Sequence, residues 1–165
     1  YEGLEGLQVI INNGDISIVS SDDGINSTAT SGQGIVIDGG NLYILAGGDG
    51  LDSNSRTAYS EIVFKGGKTV VISTSGGNSA IDTEAGYTYT SGSVLAIMPN
   101  GGMTSEATHC SNFSSVAKKI SMSLSSGKTL TVSVSNSAIL SVKIPCNLSA
   151  IVIYLGSTSA NISLN

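Results

Sequence analysis

The chain has 165 residues and a net charge of -5, with only 12% of its residues charged and 40% hydrophobic. Gly is abundant at 21, Pro occurs twice and Trp is absent, a β-rich and turn-rich composition for one domain that can bury a core. One Arg and six Lys, thinly spread, exclude a basic nucleic-acid surface, and no apolar run approaches the roughly 18 residues of a membrane span. No signal-peptide pattern opens the chain, which starts in mid-pattern at Tyr1 as a mature or trimmed product would.

In chain order, a short acidic phrase recurs. It reads "YEGLEG" at 1–6, "SSDDGINS" at 20–27, "GGDGLDSN" at 47–54 and "NSAIDTE" at 78–84. Leu4, Ile25, Leu51 and Ile81 fall in register, and Met103 offers a degenerate fifth. Between these phrases runs a second block of strand, glycine turn and strand: "VIINNGDISIVSS" at 9–21, "IVIDGGNLYILAG" at 35–47, "IVFKGGKTVVIST" at 62–74 and "YTYTSGSVLAIMP" at 87–99. Short alternating strands repeating every 20–30 residues, without helical periodicity, predict a parallel β-helix of about four to five coils over residues 1–105. From 106 to 165 the phrase vanishes. The stretch "KKISMSLSSGKTLTVSVSNSAILSVKIPCNLSAIVIYLG" alternates cleanly, with turns at Ser126-Gly127 and Asn136-Ser137. It predicts antiparallel strands that cap the last coil and cover its open edge.

In such a fold equivalent positions stack about 4.8 Å apart. The aliphatic register residues point inward, so their neighbours point outward: Glu2, Asp23, Asp49 and Ser79 on one side, Glu5, Asn26, Asp52 and Asp82 on the other. Asp22, Asn54 and Glu84 lie close by in sequence. Carboxylates stacked at that spacing repel by about 3–4 kcal/mol per pair at an effective dielectric near 20. A hard cation removes that repulsion. Ca²⁺ takes six to eight oxygens in flexible geometry, and the absence of His and Cys from the cluster disfavours zinc and copper. The expected metal ligands are therefore Glu2, Glu5, Asp22, Asp23, Asn26, Asp49, Asp52, Asn54, Asp82 and Glu84.

Taken together, the phrases around Gly3, Gly24, Gly50 and Ala80 resemble those of bacterial secreted proteins described as carbohydrate-binding domain-containing. The similarity covers residues 1–105 well and the tail loosely. It implies a calcium-binding right-handed β-helix of polysaccharide-lyase-like fold, binding plant-type or acidic polysaccharides at a cell surface without catalysis. Tyr43, Tyr59, Tyr87 and Tyr89 are candidates to stack on sugar rings. Secretion agrees with a disulfide between Cys110 and Cys146, and with glycosylation sequons at Asn112, Asn147 and Asn161. A fourth sequon, at Asn26, conflicts with metal ligation there.

Two alternatives stand beside this reading. A β-helix with an uncapped end offers strand edges to copies of itself, so head-to-tail assembly into a calcium-stabilised filament is one. A polysaccharide lyase is the other, with Arg56, Lys65 or Lys68 as base. The lone His109 supports no nucleophile triad, so a non-enzymatic protein is expected.

Overall fold

A computed structural model describes residues 1–55 and 61–165. The first triplet of strands is β1 (Leu4–Gly6), β2 (Val9–Ile11) and β3 (Asp15–Ser20). The second is β4 (Ile25–Ser27), β5 (Ile35–Ile37) and β6 (Asn41–Ala46). The third is β7 (Leu51–Ser53), β8 (Ile62–Phe64) and β9 (Lys68–Ser73), and the fourth β10 (Ile81–Thr83), β11 (Tyr87–Tyr89) and β12 (Ser93–Pro99). Equivalent strands stack in parallel into three sheets. We call the sheet holding β1, β4, β7 and β10 the first, that holding β2, β5, β8 and β11 the second, and that holding β3, β6, β9 and β12 the third.

The chain is thus a β-solenoid of about three turns. That is fewer than the four to five coils expected. The fifth rung expected at Met103 is absent, since Met103 continues no strand, and the four strand triplets wind about three turns. Met103 precedes a short helix α1 (Thr104–Ala107), which lies against β10 and closes that end of the first sheet.

The period-two pattern explains the inside. Leu4, Ile25, Leu51 and Ile81 pair in register, and the last three are fully buried. Ile35, Ile37, Ile62, Phe64 and Tyr87 fill the second side of the interior, with Ile44, Val71 and Ala96 on the third. Gly24 and Gly50 precede the aliphatic positions because a Cβ there would strike the carbonyl oxygen of the next turn, Gly50 O and Ala80 O respectively.

After a second short helix, α2 (Phe113–Val116), come β13 (Ala117–Leu124), β14 (Thr129–Val134), β15 (Ser137–Lys143), β16 (Leu148–Leu155) and β17 (Asn161–Leu164). As expected, the tail covers an edge: β16 pairs antiparallel with β12, and β13 pairs with β16. β14, β15 and β17 form a fourth, separate sheet lying on the outer face of the third. A second core fills the gap, with Val70, Ile72, Leu95, Ile97, Val152 and Tyr154 meeting Leu130, Val132, Leu140 and Val142. The central strands of the third sheet are therefore buried on both faces, which is why β12 and β16 read as near-continuous apolar runs.

The two ends differ. At the start β1, β2 and β3 are sheet edges, with Leu7 74% and Ile10 49% exposed. At the other end α1 lies on β10, Cys110 bridges to Tyr87 of β11, and β16 occupies β12.

Cys110 and Cys146 are both free thiols, against the expected disulfide. Cys110 sits at the end of the second sheet, with its thiol against Asn112 Oδ1 at 3.0 Å, and burial raises its pKa. Cys146 lies after β15, over the outer face of the third sheet beside Val19 and Leu45. The two belong to different faces of the solenoid.

Candidate functional site

Two acidic lines run along the first sheet, one formed by the outward neighbours of the buried aliphatic column and the other by the turn residues two positions before it, where Ser79, expected outward, is instead fully buried. One is Glu5, Asn26, Asp52 and Asp82, paired rung to rung in the expected register. The other holds Asp23 and Asp49, whose rungs are fixed by the Gly3 amide on Asp23 O at 2.9 Å and the Gly24 amide on Asp49 O at 2.8 Å. The side chains in this second line hold the winding together. Asp49 N donates to Asp23 Oδ1 at 2.8 Å, and Ser79 N donates to Asp49 Oδ1 at 2.5 Å. Each of these carboxylates thus spends one oxygen on the next turn's backbone.

The electrostatics follow from partial burial and like charge. Desolvation, followed by the charges of Asp82 and Asp23, pushes Asp52 up to about 7. Desolvation, then Asp49 and Glu106, takes Asp82 to about 7 as well. Asp49 rises to about 6 for the same kind of reason, although its bond from Ser79 works against the shift. Asp23 is raised in the same direction, burial again dominating.

The ten oxygen-bearing side chains expected at this edge do not gather equally. Asp23, Asn26, Asp49, Asp52 and Asp82 line it half-buried, flanked by Glu2 and Asp22, while Glu5 is exposed on the first rung. Asn54 is exposed, and its Nδ2 donates to Asp52 Oδ1 at 3.3 Å. Glu84 is exposed, and its backbone amide belongs to a different arrangement around Glu61. Among the described residues, no three Asp, Glu, His or Cys side chains converge as a ready metal shell.

Two acids escaped the sequence reading. Glu106, carried on α1, adds its charge to Asp49 and Asp82. Glu61 is fully buried at the corner before β8, where it accepts the Glu84 amide at 2.8 Å and the Ala85 amide at 2.6 Å. Neither stands in the repeated phrase, so periodicity gives no signal for them.

The tyrosines divide sharply. Tyr87 is fully buried, edge-on to Phe64 with ring centroids 5.8 Å apart, and its hydroxyl donates to Ala107 O at 2.9 Å. Tyr89 is 7% exposed and donates to Gly92 O at 2.8 Å. Both serve the interior and offer no face to a sugar. Tyr59 and Arg56 lie outside the described residues. Tyr43 is half-buried on the outer face of β6, where it lines a groove with Ser17 and Leu140.

The remaining candidates are placed as follows. Lys65 pairs with Asp38 at 3.2 Å in an exposed turn, and Lys68 starts β9 at the margin of the Tyr43 groove. His109 is exposed, its carbonyl accepting the Tyr87 amide at 2.9 Å. Asn161 is exposed, and so is Asn147, whose Oδ1 accepts the Ser126 amide at 2.8 Å. Asn112 uses its amide nitrogen on Tyr89 O at 3.0 Å, which opposes a glycan at that atom.

A short-coiled β-solenoid with acid lines on one sheet and a sandwiched second core on another defines the class of protein. A family model described as carbohydrate-binding domain-containing protein matches residues 1–161, and the chain belongs to that family. No curated protein and no solved structure matches the chain. No helix is long and apolar enough to cross a membrane among the described residues.

Proposed function

We propose that this chain is a non-catalytic polysaccharide-binding module, acting outside the cell or at its surface, whose acidic edge takes up calcium. Family membership supports the carbohydrate partner. One observation carries the calcium reading. Asp49, Asp52 and Asp82 stand half-buried on adjacent rungs with pKa values raised to about 6, 7 and 7, so their ionisation costs the fold energy that a cation would return.

The donor chemistry fits a hard ion: carboxylates, the Asn26 amide and nearby carbonyls, without sulfur or imidazole. Asp23, Asp49, Asp52 and Asp82 would hold it. Because no three acids converge beforehand among the described residues, uptake requires their free oxygens to turn toward a shared ion. When bound, the ion neutralises the acid lines and offers coordination to sugar hydroxyls or carboxylates.

Thermal unfolding across a calcium titration, with EDTA and magnesium as controls, tests the metal half. Expected is a calcium-specific rise in melting temperature. Affinity electrophoresis through acidic and neutral plant polysaccharides, with and without calcium, tests the other half, and retention on an acidic polysaccharide in calcium is expected. An unchanged melting temperature removes calcium, and the absence of retention on every polysaccharide removes the binding function. The self-assembling alternative ranks below this one, since among the described residues α1, Cys110 and β16 cover the edges of β10, β11 and β12.

A further inference from the structure

The outer face of the third sheet is covered progressively along the solenoid. On β12, Leu95 and Ile97 are fully buried, and on β9, Val70 and Ile72 are 8% and 1% exposed. On β6, Tyr43 and Leu45 are half-buried, and on β3, Ser17 is exposed and Val19 is 72% exposed. The apolar face thus runs out from under the fourth sheet. β15, the edge strand of that fourth sheet, forms a wall along it. Between wall and floor lies a groove of about 370 Å³, lined by Ser17, Tyr43, Leu140 and Ser141 among others. Further along the same two strands, β3 and β6, a second hollow of about 410 Å³ lies over Val19, Leu45 and Cys146.

One margin of the groove is polar. Asp15, Asn41 and Lys68 occupy the same register position on three adjacent strands and share the parity of Tyr43, so all three stand on the outer face. Asn41 Nδ2 donates to Asp15 Oδ1 at 2.6 Å. The row therefore offers an anionic acceptor, an amide and a cationic donor side by side, with its formal charges balanced.

We infer that this groove and the neighbouring hollow together bind a linear, neutral polysaccharide, with pyranose faces laid on Tyr43 in the groove and on Leu45 and Val19 in the hollow, and hydroxyls read by the Asp15–Asn41–Lys68 row. The inference rests on the reading of the chain as carbohydrate-binding, and it adds a calcium-independent site on a different sheet from the acid lines. Three features favour a sugar chain. Its rings combine an apolar C–H face with hydroxyl edges, matching a floor that is apolar in the middle and polar along one side. The volume falls in the range of ligand clefts. The exposed apolar floor consists of three side chains, Tyr43, Leu45 and Val19, against the roughly 20–30 residues a side of a stable protein interface.

Isothermal titration of the intact chain with cellohexaose, xylohexaose and mannohexaose, in EDTA, tests the assignment. At least one should bind, and Tyr43→Ala should weaken it tenfold or more. Ser17→Arg, at an exposed position, should block the groove to a similar extent without disturbing the core, so a folding defect in Tyr43→Ala leaves the test intact. Asp15→Ala should reduce affinity severalfold. Binding of a neutral hexasaccharide unchanged by Tyr43→Ala and Ser17→Arg overturns the groove while leaving carbohydrate binding in place. Binding confined to acidic polysaccharide in calcium does the same. No binding to any glycan, neutral or acidic, with or without calcium, overturns both.

Discussion

Asp52 and Asp82 occupy the same outward position on adjacent rungs, and burial first of all opposes the ionisation of both, with the charge of Asp82 adding to the effect on Asp52 and those of Asp49 and Glu106 to the effect on Asp82. Their folded pKa values, about 7, lie above the ordinary 3.8, so the fold prefers them neutral. The stability linked to that preference is fully present below about pH 4 and is lost as pH rises through the folded values near 6 to 7. In chelator, melting temperature is therefore expected to fall between pH 4 and 8, and Asp52→Asn should flatten the slope and raise the melting temperature at pH 8. With calcium present the order reverses, the stabilisation by metal growing with pH as the carboxylates ionise. A chelated protein equally stable at pH 5 and pH 8 would contradict the raised values. Glu61 shows the opposite use of an acid: fully buried, it serves two backbone amides at a corner.

At the scale of elements, the acidic phrase and the strand blocks were legible because the solenoid imposes period two within strands and one repeat per turn. The aliphatic register from Leu4 to Ile81 followed directly. Met103 was misread, since a glycine before an apolar residue suits a loop entering a helix as well as a rung. The β14–β15 turn sits on Ser135 and Asn136, both at positive φ, one residue earlier than the Asn136-Ser137 reading. Burial of the third sheet on both faces gives a contrast that can be measured. Leu95→Ala, inside the second core, should cost about 2–5 kcal/mol in denaturant unfolding. Val19→Ala, at 72% exposure on the same face, should change stability by less than about 0.5 kcal/mol. Equal costs would mean that the fourth sheet does not cover Leu95 as described.

Across the whole molecule, the inner core is shared between solenoid and tail. Ile151, Ile153 and Leu155 of β16 belong to the same cluster as Ile25, Ile44 and Val71. Hydrogen bonding also continues from β12 into β16. Residues 1–105 and 106–165, separable in sequence pattern, are thus expected to unfold together as one calorimetric transition whose van't Hoff and calorimetric enthalpies agree. Two resolved transitions would show the tail to be an independent unit.

The sequence by itself determined the parallel stacking, the inward aliphatic column and the acid lines, because each follows from local periodicity repeated in register. Only the tertiary structure decided what lies over the outer faces. Tyr87 and Tyr89 were drawn inside by the second sheet's register, and Cys110 was separated from Cys146 by the different sheets they meet. Tyr43 was left at a groove because the fourth sheet stops at β15. Side-chain alternation fixes which residues share a face, but what covers that face depends on strands distant in the chain.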